Sequence, residues 1–223
     1  MRTISGVALA VFDLDNTLID RAAALRRWAA AYVAEHGLPP AETAWLERAD
    51  GDGYTPRARL LAAIRERHGV HMTVEALRAE LVASIEPDPR LPGLLDDLRS
   101  AGWRVAVATN GATAQQHAKL RHTGLAAHVD AVAVSEEVGA AKPDLRMFTT
   151  AAERCGERLT GESWMVGDCP VRDIAGGRSA GLRTIWLSRA RAWDPAQPPP
   201  VAVAGDITAA FALIAAEPGP APR

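Results

Sequence analysis

Two aspartates spaced two apart, Asp13 and Asp15, close an apolar run that begins at Val7, in the stretch Val11-Phe-Asp-Leu-Asp-Asn-Thr17-Leu18. Such a run reads as a buried strand that ends on acid. Side chains alternate along a strand, so the two carboxylates start on one face, about 7 Å apart by strand rise, unless the chain turns between them. Like charges that close call for a cation or a proton between them. A strand end with ordinary solvated acids, or a helix N-cap, would use the same residues without chemistry.

Further polar groups end other apolar runs. The run from Trp103 to Ala108 stops at Thr109-Asn110-Gly111, and that from Ser163 to Val166 stops at Gly167-Asp168. Between them, Ala141-Lys142-Pro143-Asp144 precedes a helix expected to pass through Phe148 to about Cys155, with Pro143 in its first position and Asp144 at its positive end. In open α/β sheets, ligands bind beyond the carboxyl ends of the strands, so these four places can form one site.

The elements that would carry the site fall into two blocks. From Arg21 to about Ile85 the apolar residues follow helical spacing, as in Leu25-Trp28-Ala29-Tyr32-Val33 and Leu60-Leu61-Ile64. Breaks at 37–40, 50–53 and around Gly69 predict about four helices, and Pro87-Asp-Pro89 closes the block. After Leu91, helix and strand alternate. Strands are expected at 103–108, 129–134, 163–167, 182–187 and 201–203, and helices up to Ala101, over 113–122 and 144–155, from near Pro170, and over 206–216. That alternation predicts an α/β fold with a parallel sheet covered by helices. The stretch 195–200 reads as a surface loop and Glu217–Arg223 as a frayed tail.

At 223 residues the chain has room for one well-buried domain and a small insertion. A net charge of −2 supplies no basic stripe, which argues against nucleic acid as a partner. The apolar run ahead of Asp13 is too short for a signal segment or a membrane span, so a cytoplasmic protein with no membrane partner is expected. Cys155 and Cys169 match no disulfide framework or zinc spacing. Trp28, Trp103 and Trp164 lie in periodic or strand runs and read as packing.

Taken in order, Asp13-Leu-Asp15-Asn-Thr17-Leu, Thr109-Asn110-Gly111, Lys142 in Ala-Lys-Pro-Asp, and Gly167-Asp168-Cys-Pro-Val-Arg-Asp173 resemble the four motifs of the haloacid dehalogenase-like hydrolase superfamily. The likeness covers nearly the whole chain, because one subclass carries a helical cap where the helical block stands. It implies a three-layer Rossmann-like core over 1–18 and 88–223, with a four-helix cap over 19–87. In similar enzymes the residue at Asp13 attacks phosphorus and that at Asp15 acts as general acid and then base. Lys142 neutralises the acids and the transferring group, while Thr109 and the Asn110 amide cradle phosphate oxygens. Magnesium is implied as cofactor, held by the Asp13 carboxylate, the Asp15 carbonyl and Asp168, with Asp173 ligating through water or orienting Lys142.

The true dehalogenases lack the second aspartate of the first motif, which this chain keeps at Asp15. The phosphonate-cleaving branch needs a cap lysine, and no lysine occurs before Lys119. The resemblance therefore implies a magnesium-dependent phosphatase acting on a small phosphorylated metabolite. A phosphomutase of the same fold, or a non-catalytic member binding phosphate compounds or a protein, are the alternatives. Tyr54 and Arg57, in the loop 50–57, are the candidates for substrate contact.

Overall fold

The structure is a computed structural model that describes residues 8–217; Val7 and the part of the expected tail beyond Glu217 lie outside the described residues. The chain divides into two compact units, one running up to Ile19 and resuming at Asp88, the other Asp20–Pro87.

The first unit is built on β1 (Leu9–Phe12), whose four residues are all buried. The second unit follows with helices α1 (Arg21–Glu35), α2 (Glu42–Asp50), α3 (Arg57–His68) and α4 (Val74–Ala83). The first unit then continues through α5 (Leu91–Ser100), β2 (Arg104–Thr109), α6 (Thr113–His122), β3 (Ala131–Val134), α7 (Ser135–Val138), α8 (Leu145–Arg154) and β4 (Trp164–Gly167). A π-helical turn over Pro170–Ala175 leads into the short α9 (Gly176–Ser179), followed by β5 (Arg183–Leu187), β6 (Ala202–Ala204) and α10 (Ile207–Ala215).

Among the described residues the strands form one six-stranded sheet in the order β3-β2-β1-β4-β5-β6, with parallel pairing throughout. A parallel sheet covered on both faces needs strands that are apolar on both sides. On one side, Leu9 and Val11 join Ala106, Ala108, Met147 and Phe148 in the core beneath α8. Phe12, the last residue of β1, stacks on Phe211 of α10, ring centroids 5.1 Å apart. This is the three-layer, Rossmann-like architecture. Because β1 pairs with both β2 and β4, the loops after these three strands open side by side at one edge of the sheet.

The helical unit has a core of its own, including Leu25, Trp28, Tyr32, Leu46, Leu60, Ile64 and Leu77. Its buried Asp50 accepts hydrogen bonds from Arg21 Nη2 at 2.8 and 2.6 Å, from Arg57 Nη1 at 2.5 Å and from the Gly53 amide at 2.7 Å. Burial works against that carboxylate's charge, but Arg21 and Arg57 hold its pKa below the usual range. Among the described residues no helix is long and apolar enough to cross a membrane.

Three boundaries differ from expectation. Pro143 is not the first residue of α8: it forms a cis peptide with Lys142, and Asp144 is the N-cap, its side chain accepting from the Arg146 amide at 2.9 Å. The segment after Cys169 starts as a wide π-type turn rather than an α-helix, with the amides of Asp173 and Ile174 both donating to the Cys169 carbonyl. Glu217 is not frayed, because Arg183 Nη2 donates to its carboxylate at 2.7 Å.

Candidate active site

Asp13 leaves β1 with its amide still donating to the Val166 carbonyl of β4, which fixes its backbone against the neighbouring strand. The chain then turns. Asn16 adopts a left-handed φ of 61°, and the Thr17 hydroxyl reaches back to Asp13 Oδ2 at 3.3 Å. Because of this turn Asp13 and Asp15 serve different partners, rather than facing one another along an extended strand.

Asp13 meets Lys142. The buried Lys142 Nζ donates to Asp13 Oδ1 at 2.6 Å and to Asp173 Oδ1 at 2.7 Å. The other Asp173 oxygen accepts the Cys169 amide at 2.9 Å, so this side chain is held at both ends. Lys142 is itself clamped by Asn110, whose side-chain amide donates to the Lys142 carbonyl at 3.0 Å and accepts from its N–H at 2.8 Å. The Asn110 side chain thus secures the lysine's loop.

Asp168 completes the acid cluster. One ligand atom each from Asp13, Asp168 and Asp173 lie within 4.8 Å of one another, all three side chains buried. Trp186 Nε1 donates to the Asp168 carbonyl at 2.9 Å, while Arg189 Nη1 and Arg191 Nη2 donate to its carboxylate Oδ2 at 3.1 and 3.3 Å.

Electrostatics follow from this crowding. Burial, reinforced by Asp173 and Asp15, pushes Asp13 up to about 7 against the pull of Lys142. Burial and Asp13 push Asp168 up to about 6 against Arg189 and Arg191. Lys142 is desolvated too, yet Asp13 and Asp173 hold its ammonium above the ordinary lysine range. A single ammonium shared by two carboxylates leaves negative charge uncompensated, and a proton or a cation can take it up.

The family model for haloacid dehalogenase-like hydrolases matches residues 7–181, a span that holds Asp13, Asp15, Asn110, Lys142, Asp168 and Asp173. The chain belongs to this family. Among curated relatives, pyrimidine 5'-nucleotidase YjjG of Escherichia coli is 40% identical over 102 residues, which is 46% of this chain and 45% of that protein. The chain thus spans about half the length of that relative. Phosphoglycolate phosphatase of Agrobacterium fabrum is 31% identical over 188 residues, covering 81% of this chain and 80% of the relative. Among solved structures, the HAD-hydrolase YfnB from Bacillus subtilis, bound to magnesium, superimposes with a TM-score of 0.74 at 22% identity over 94% of this chain and 99% of its own. That likeness supports the fold.

Within this family member, four site residues escaped the reading of the motifs. Lys119, on α6, donates to both Asp15 oxygens, at 2.7 and 2.6 Å. Gln116, one turn earlier, donates through Nε2 to Asp15 Oδ2 at 3.1 Å and to Thr109 Oγ1 at 2.6 Å. Arg189 and Arg191 complete the set, on a turn in which both Arg189 and Ala190 are left-handed. Of the cysteines, Cys169 helps to shape the site: its sulfur accepts from the Arg172 amide at 3.5 Å.

Gly167 yields a direct test of the packing. A Cβ at this position would lie 2.3 Å from Asp173 Cγ and Oδ2. Gly167→Ala must therefore displace the carboxylate that steadies Lys142. We expect a loss of about 1–3 kcal/mol in chemical denaturation, as for other overpacked cores, and at least roughly a tenfold loss of turnover.

Proposed function

We propose that this chain is a magnesium-dependent phosphatase that hydrolyses a small phosphorylated metabolite through an aspartyl-phosphate on Asp13. The observation that carries this reading is the shared contact of Lys142 with Asp13 and Asp173, beside an all-oxygen carboxylate cluster that includes Asp168. Hard cations such as magnesium prefer oxygen donors and few protein ligands, and the three carboxylates fit that requirement. Asp13, Asp168 and the Asp15 carbonyl would hold the ion. When bound, it offsets the repulsion between a carboxylate nucleophile and a phosphate dianion.

The protein's own groups carry the rest. Asp13 attacks phosphorus while Lys142 stabilises the equatorial oxygens, and Asp173 orients Lys142. The Thr109 hydroxyl and the Asn110 amide bind the remaining phosphoryl oxygens. Asp15 protonates the leaving alkoxide, then takes a proton from the water that attacks the aspartyl-phosphate. Substrate choice is assigned to the helical unit through Tyr54, which is 54% exposed, and Arg57, which Asp50 fixes in direction. The phosphatase relatives support a phosphorylated small molecule as substrate.

The test is hydrolysis of para-nitrophenyl phosphate, phosphoglycolate and pyrimidine nucleoside 5'-monophosphates, with magnesium and with chelator. Phosphate release that needs magnesium is the expected result; release unaffected by chelator, or none from any substrate, would refute the proposal.

A stability measurement probes the acid cluster separately. With Asp13 at about 7 and Asp168 at about 6, against an ordinary 3.8, the folded protein holds more protons than the unfolded chain between about pH 4 and pH 7. The contribution of these two groups to stability is therefore largest at the acid end of that window and declines as pH rises through it. Magnesium must displace those protons at pH 5 but not at pH 7.5. Saturating magnesium should raise the melting temperature by several degrees at pH 7.5, where 1 kcal/mol is worth roughly 2–4 °C, and by clearly less at pH 5. Equal shifts at the two pH values would disconnect the metal from these carboxylates.

A further inference from the structure

We infer that Lys119 and Gln116 are positioning residues for both chemical half-reactions: a bracket on α6 that holds the Asp15 carboxylate at a fixed place relative to the Thr109 phosphate cradle. The inference rests on the phosphatase reading above and adds to it two residues outside the four motifs.

Lys119 carries the first part of the argument. Its side chain is 6% exposed, and its ammonium lies 2.7 and 2.6 Å from the two oxygens of Asp15, which remains 23% exposed. Removing an ammonium from water to pair it with a carboxylate is a poor route to stability, and apolar replacements at such places are often neutral or better. Held from two sides of the carboxylate, however, Asp15 has its rotamer fixed. The basic residues of the whole chain point the same way. Of 25 only two are lysine, Lys119 and Lys142, and each bonds an aspartate of the first motif.

Gln116 extends the bracket. Its Nε2 spans Asp15 Oδ2 and Thr109 Oγ1, joining the loop after β1 to the end of β2. Three residues apart on one helix, Gln116 and Lys119 share a face, so a single rigid element sets both contacts. Gly111 leaves room for it: a Cβ there would meet the Gln116 side chain at 3.0 Å, on a backbone whose φ is +154°.

In the first half-reaction an Asp13 oxygen bonds to phosphorus, the P–O bond to the alcohol breaks, and Asp15 gives its proton to the departing oxygen. In the second, a water oxygen bonds to phosphorus, the Asp13–phosphorus bond breaks, and the water's proton returns to Asp15. Para-nitrophenolate leaves as a stable anion and hardly needs the acid, but the water always needs the base. A misplaced Asp15 should therefore spare phosphorylation by para-nitrophenyl phosphate and slow dephosphorylation.

Rapid-mixing kinetics with this substrate and magnesium read the two steps apart. For Lys119→Met we expect a burst of para-nitrophenol equal to the enzyme, at a rate within about threefold of the wild-type first turnover, then steady turnover roughly a hundredfold slower, in line with lost acid–base catalysis. Gln116→Leu should change the same ratio in the same direction by less, and Lys119→Arg should restore part of the steady rate. Burst and steady rates that fall together, steady rates that stay at wild type, or an arginine variant no better than methionine would overturn the inference. If Lys119→Met does not fold, Gln116→Leu and Lys119→Arg decide it by the same ratio. A wild type that shows no magnesium-dependent turnover would instead refute the phosphatase reading itself.

Discussion

Asp13→Asn is expected to lower turnover by at least about a thousandfold while leaving the protein folded and no less stable at neutral pH without metal. The two halves of that expectation have one physical origin. Asparagine matches aspartate in shape, and its Oδ1 can still accept from Lys142, but its amide is no nucleophile toward phosphorus. The native state also holds Asp13 up to about 7, so ionising it at pH 7.5 costs free energy that the neutral amide does not. Lys142 keeps its 2.7 Å contact with Asp173, and that pair is then one cation to one anion. Turnover, acid-quench trapping of the phosphoenzyme and thermal melting, measured together, check all of this. Near wild-type rates would rule out the aspartyl-phosphate route. Loss of activity through unfolding would mean that the charge balance around Lys142 has been misread.

What the sequence allowed one to read was the places, more than the pairings. Asp13, Thr109 and Asp168 each end an apolar run and Lys142 stands just ahead of a helix between two of them, and ligands bind beyond the carboxyl ends of a parallel sheet, so their convergence was legible from pattern alone. Their partners were not, because the chain turns from Leu14, whose carbonyl accepts from the Thr17, Leu18 and Ile19 amides, and so leaves the alternation that an extended strand would impose. Lys119 and Gln116 sit mid-helix without a motif around them, and their function lies in contacts some hundred residues away along the chain. The signal that could have found Lys119 was compositional: a lysine in a chain that otherwise uses arginine. Arg189 and Arg191 sent no such signal. The turn that brings them to Asp168 is left-handed at Arg189 and Ala190, and no glycine marks it. Pro143 misled in the opposite sense, since a proline ahead of a helix suggests its first position whereas here Asp144 stands between as the cap.

Lys142→Met should be the most destabilising single change in the site. Asp13 and Asp173 are 7% and 1% exposed, and without the ammonium the two carboxylates remain buried with no compensating cation. Breaking a buried pair by removing one partner costs about 3–5 kcal/mol. Protonation of Asp13, which burial already pushes up to about 7, offsets part of this, so the deficit should be smallest near pH 5 and should grow as pH rises to 7.5. Turnover should fall by roughly a hundred- to a thousandfold in the folded fraction, the range for losing one preorganised charge at a developing anion. A second substitution separates the two effects. Asp173→Asn in the Lys142→Met background removes one of the stranded charges, so denaturant melts at pH 7.5 should recover most of the lost stability while turnover stays low. Methionine keeps most of the lysine stem's packing, so stability that fails to return would show that the loss does not come from the stranded carboxylate charge. If activity returned with stability, Lys142 would be a scaffold for the carboxylates rather than a charge set against the transferring phosphoryl group. The cycle discriminates because the two substitutions meet at one 2.7 Å contact, where coupling between neighbours is large enough to measure.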